Sequence, residues 1–88
     1  MEIEKSELNI YDVETLHKQF IEEIKKDSII IDMKNVNKVD ATIIQLLIST
    51  QKTSNILSKE FKIINLNDEL LEIFKSYYCS NLVSKEQL

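Results

Sequence analysis

The 88-residue sequence contains no glycine and no proline, and it has one cysteine and one histidine. Phosphate-cradling loops of the GxxxxGK[ST] and GxGxxG types need glycine so that backbone N–H groups can approach a phosphate, so neither nucleotide fingerprint is available. Every turn must instead be made by Asn, Asp, Ser and Lys, the residues left to take glycine's place in left-handed conformations. A lone Cys79 cannot close an internal disulfide, and no charged-then-apolar signal segment opens the chain, so the expected setting is reducing and cytoplasmic. His17 and Cys79 lie far apart, and no CxxC or HExxH spacing gathers ligands. No metal or other cofactor is therefore expected, although carboxylate-only sites stay open. No apolar run approaches the roughly 18 residues that span a bilayer; residues 29–31 make a strand-sized run, so direct membrane insertion is not expected.

At 88 residues and 43% hydrophobic content, the chain suits one domain over 1–88 with one modest core. A net charge of -4, with the lysines dispersed, argues against a nucleic-acid or anionic-membrane surface, since phosphate binding needs clustered cations. The expected partner is a protein.

Ile3, Leu8 and Ile10 suggest two short strands meeting near Lys5 and Ser6. From the cap Asp12, the positions Val13, Leu16, Phe20, Ile21 and Ile24 recur at helical spacing, with Glu14, Lys18, Glu22, Lys25 and Lys26 mostly opposite. Ile29, Ile30, Ile31 and Met33 are apolar on both parities, which predicts a central strand buried on both faces. After a polar loop, Asp40 is placed to cap a long helix over about 41–58. A strand over 61–66 follows, then a helix capped by Asn67, with Asp68 and Glu69 at its positive end and Leu70, Leu71, Phe74, Tyr77 and Tyr78 available for packing. The rest reads as a short tail. Strands separated by helices imply parallel crossovers and an α/β architecture.

The segment Ile29-Ile30-Ile31-Asp32-Met33-Lys34-Asn35-Val36-Asn37-Lys38-Val39-Asp40-Ala41-Thr42-Ile43-Ile44-Gln45-Leu46-Leu47 resembles the STAS domain family, named for sulfate transporters and anti-sigma factor antagonists. That family reads as an apolar strand ending in Asp, a short loop, V-D-[ST]-[ST]-G and an apolar helix. The match here includes the strand, Asp32, Val39, Asp40 and Thr42, and the later strand and helix fall in order. The resemblance implies a small mixed sheet of about four strands backed by three to four helices. In antagonist members the second hydroxyl residue is phosphorylated by a kinase that is itself the anti-sigma factor. Thr42 holds that place and is the implied phosphoacceptor, while Ala41 replaces the first hydroxyl residue. Ile43 replaces the usual glycine, and its bulk bears on how the helix start meets a kinase.

On a helical projection Ile43, Leu46, Leu47, Thr50, Ser54 and Leu57 form the core stripe, and Thr42, Gln45, Ser49 and Lys52 a polar, solvent-facing one. Ile44 and Ile48 lie beside the polar stripe and are more apolar than a solvated flank requires, which marks them as contact surface or as residues packed under a neighbouring helix. The predicted partner surface comprises Asp40, Ala41, Thr42, Ile44, Gln45, Ile48 and Ser49. Asp40 also reads as a simple cap, Asp32 as a strand end bonded to its loop, His17 as a surface residue and Cys79 as a packing residue. No nucleophile, base and orienting group assemble from one His and one Cys, so a non-catalytic module is expected. The resemblance implies that the partner is a regulatory kinase, anti-sigma factor or other signalling protein. Alternatively, some stand-alone STAS proteins resembling this chain are constitutive subunits that bind and stabilise the ATPase of a membrane lipid transporter.

Overall fold

A computed structural model describes residues 1–83. The elements run β1 (Glu7–Leu8), a 3-10 turn (Ile10–Asp12), α1 (Val13–Ile24), β2 (Ser28–Asp32), β3 (Lys38–Val39), α2 (Ala41–Ile56), β4 (Glu60–Ile64), α3 (Asp68–Ser76) and a second 3-10 turn (Ser80–Leu82). Beyond that turn, Val83 pairs with Ile63 in a parallel bridge. The end of the expected tail, 84–88, lies outside the described residues.

Among the described residues the α/β architecture with parallel crossovers is observed, with three α-helices. Its four strands form two separate two-stranded ladders, both parallel, where one mixed sheet was expected. β2 pairs with β4 from Ser28–Glu60 to Asp32–Ile64, and β1 pairs with β3 through Glu7–Lys38 and Leu8–Val39. The second ladder is short because its strands are two residues long, and the Asn37 and Lys38 N–H groups both turn to the Ser6 carbonyl.

The two short N-terminal extended pieces exist but do not pair with each other. Ile3 donates to the Asp32 carbonyl (3.2 Å) and Asp32 donates to that of Met1 (2.8 Å), so the first piece flanks β2 on the side away from β4. β2 is therefore central, as predicted, but buried on one face only. Ile29 and Ile31 are fully buried, whereas Ile30 keeps 38% of its surface exposed, because α1 and α2 cover a single face. Ile10 is not in a strand at all. Asn9 caps the 3-10 turn by accepting from Tyr11 N–H (2.9 Å), and the Asp12 carboxylate accepts from Asn9 N–H (2.9 Å) and Lys5 Nζ (2.5 Å). Asp12 thus makes no cap bond to α1: helical backbone starts one turn earlier than the apolar spacing suggests, and Asn9 does the capping.

The core gathers Leu8, Phe20, Ile29, Ile31, Met33 and Val36 with Ile43, Ile44 and Leu47 of α2, Ile63 of β4, and Leu70 and Phe74 of α3. Thr50 and Ser54, on the buried side of α2, give their hydroxyl protons to the carbonyls of Leu46 and Thr50, both at 2.8 Å. They are thereby tolerated in an apolar surrounding. Leu57, assigned to the core stripe by projection, is half exposed because α2 ends at Ile56 and the chain turns away there.

Candidate functional site

The start of α2 is organised by one carboxylate. Asp40 Oδ1 accepts from Ile43 N–H (3.1 Å) and from the Thr42 hydroxyl (2.5 Å), and Oδ2 accepts from Ile10 N–H (2.9 Å). The predicted cap is thus formed, and it also ties the 3-10 turn before α1 to the start of α2. The Thr42 hydroxyl bond, ahead of the Ile43 and Ile10 amides, holds the Asp40 carboxyl below its ordinary value of 3.8 against the opposing effect of burial. The same hydrogen bond fixes the Thr42 hydroxyl against the carboxylate.

Beside this cap lies an open groove of about 750 Å³, walled by Ile10, Val13, Glu14 and His17 on one side and Ala41, Thr42 and Gln45 on the other. Ile10 is 58% exposed at its edge. Val13 and Ala41, the first residues of α1 and α2, belong to its apolar lining together with Ile10. A smaller cavity of about 120 Å³ adjoins it through His17 and continues between α1 and α2 past Ile21, Leu46 and Ser49. Groove and cavity together make a trough along the α1–α2 seam.

A family model described as the STAS domain matches residues 5–85, nearly the whole chain. The chain belongs to the STAS domain family. A comparison with curated proteins gives no match. STAS domains are in general non-catalytic and mediate protein–protein interactions. No helix among the described residues is long and apolar enough to cross a membrane, and no group of three or more His, Cys, Asp and Glu side chains among them could hold a metal ion.

The STAS motif residues occupy distinct surroundings. Ala41, Thr42 and Gln45 come together on the groove wall, and Ser49 lines the adjoining cavity. Ile44 does not face outward: it is 2% exposed and packs in the core, and Ile48 is half-buried against it. The helical projection misplaces Ile44 because α2 is packed on more than one side, against α1, β4 and the second 3-10 turn. Thr42 is half-buried with its hydroxyl turned to Asp40, not held fully in water. Ile43, at the family's glycine position, is 1% exposed, so its bulk points into the core and not toward a visitor at the groove.

Of the residues read otherwise, Asp32 accepts from Lys34 N–H (3.0 Å), as a strand-ending Asp should. Cys79 is buried, with its thiol toward the Tyr77 carbonyl. His17 is exposed, yet it stands where groove and cavity meet. Ile10, Val13, Glu14 and His17 were not read as site residues, although their spacing of three, one and three marks a single helical face.

Proposed function

We propose that this STAS domain is a non-catalytic regulatory module of the anti-sigma factor antagonist type. It binds a signalling protein at the start of α2, and Thr42 is its phosphoacceptor. The single observation that supports this reading most is the position of Thr42 on the wall of an apolar groove at a helix N-terminus. An apolar groove favours a macromolecular contact, and a phosphate of roughly -1.5 to -2 charges on its wall would have to be desolvated or opposed by that contact. Each 1.4 kcal/mol lost weakens binding about tenfold. Asp40, Ala41, Gln45 and Ser49 complete the proposed contact surface, with Ile48 at its edge.

Incubation with a cognate kinase and ATP, read by intact mass, tests the phosphoacceptor: wild type gains one phosphate and Thr42→Ala gains none. An unmodified wild type would remove the switch. Affinity purification tests the partner class. A complex with a kinase-like protein that Thr42→Glu abolishes supports the antagonist reading. A stable complex with a transporter ATPase subunit that survives Thr42→Glu would replace it with the constitutive-subunit reading.

A further inference from the structure

The Asp40 carboxylate does more than cap a helix. Its three donors come from two parts of the fold: Thr42 Oγ1 and Ile43 N–H belong to α2, whereas Ile10 N–H belongs to the 3-10 turn that forms the opposite wall of the groove. A hydroxyl at Thr42 donates to that carboxylate. An anion at Thr42 has no proton to donate and faces Asp40 as a like charge. Across the groove from Thr42 stand His17 and Glu14, the latter a further negative charge paired with Lys18 (3.4 Å).

We propose that Asp40 is a latch: negative charge at Thr42 expels its carboxylate from the Ile10 amide, frees the Ile10–Asp12 turn from α2 and so reshapes the groove. This rests on reading Thr42 as a place where charge is added, and it makes the switch conformational as well as electrostatic. The Ile10 bond is the one that yields. A new anion at the first turn of α2 can itself accept from the free N–H groups there, replacing what Ile43 loses, because a helix N-terminus favours negative charge. Ile10 has no such substitute and passes to water. The movement hinges at Asn9, because Leu8 stays fixed by its pairing with Val39 and by the Asp40 N–H bond to its carbonyl (3.2 Å).

Amide hydrogen exchange on the isotope-labelled full chain tests the latch without any partner. In Thr42→Glu the Ile10 amide should exchange at least about tenfold faster than in wild type, while the core amides of Ile31 and Ile63 keep their rates. Thr42→Val, which removes the hydroxyl without adding charge, should leave Ile10 within about twofold of wild type. Adding Thr42→Glu to Asp40→Asn should change Ile10 no further, since the latch is already open. An unchanged Ile10 rate in Thr42→Glu, or an equal acceleration in Thr42→Val, overturns the proposal. Should Thr42→Glu lose its core protection as well, an acid titration of the wild type decides. The Ile10 amide proton shift must follow the titration of the Asp40 carboxyl, and a shift that ignores it overturns the latch. These readouts stand apart from the proposed function: a partner complex indifferent to Thr42→Glu would refute that function whether or not Ile10 is released.

Discussion

At the scale of single residues, Asp40 carries the most consequence. Replacing it by Ala removes the cap of α2 and the tie to Ile10 together, so the cost should lie near the upper end of the ~0.5–2 kcal/mol typical of cap loss, read as a lowered urea midpoint. The same residue predicts a pH dependence. Its folded-state value lies below the ordinary 3.8, so the unfolded chain binds the proton more readily. The stabilisation is therefore complete above 3.8 and is lost as pH falls through the folded value. Asp12 acts in the same direction, chiefly through its hydrogen bond with Lys5 and also through the Asn9 amide. Thermal melts between pH 5 and about 2 should show a shallower acid limb in Asp40→Asn than in wild type, and a shallower one still when Asp12→Asn is added. Asp40 as cap and Thr42 beside it were legible from the sequence, since capping is a local matter. That the carboxylate also reaches Ile10, thirty positions away, was not.

At the scale of elements, the missing glycines leave a trace. α2 and α3 both end in the same six-residue pattern. Lys59 N–H reaches the Ser54 carbonyl and Ser58 N–H that of Asn55, while Cys79 N–H reaches the Phe74 carbonyl and Tyr78 N–H that of Lys75. This is the Schellman motif, whose left-handed residue is usually glycine. Here Ser58 (φ 57°) and Tyr78 (φ 56°) hold that conformation, and Asn65 (φ 60°) does so after β4. Ser and Asn were expected in such places; the 94%-exposed Tyr78 was not. The left-handed state costs an L-residue ~1–2 kcal/mol, partly offset by the entropy glycine loses on folding. Tyr78→Gly should therefore stabilise by about 0.5–1 kcal/mol, raising Tm by a few degrees in calorimetry. The exposed pair Glu14–Lys18 on α1 should matter little: Lys18→Ala is expected within about 0.5 kcal/mol of wild type by the same measurement.

At the scale of the whole molecule, stability rests on one apolar cluster to which β1, α1, β2, α2, β4 and α3 contribute, together with Val36 and Val39. Leu47 is fully buried at its centre on α2, so Leu47→Ala should cost ~2–5 kcal/mol in denaturant titrations. That is a large share of the ~5–15 kcal/mol usual for a domain. Thr42→Val, at the rim, should cost no more than about 1.5 kcal/mol, the range of one hydrogen bond. The contrast makes Thr42 variants usable for functional tests, whereas substitutions at Ile44 would report on the core.

What the sequence determined by itself was the order and kind of the principal elements, because helical spacing, β-branched runs and caps act over a few residues. Asp40, Asn67, the strand around Ile31 and the helices starting at Ala41 and Asp68 were all readable in that way. Only the tertiary structure decided which faces met. It buried Ile44, exposed part of Ile30, turned Ile10 out of a strand and set His17 at the junction of groove and cavity. The physical reason is that burial depends on every neighbour packed around a position, whereas a periodic pattern distinguishes only one side of an element from the other.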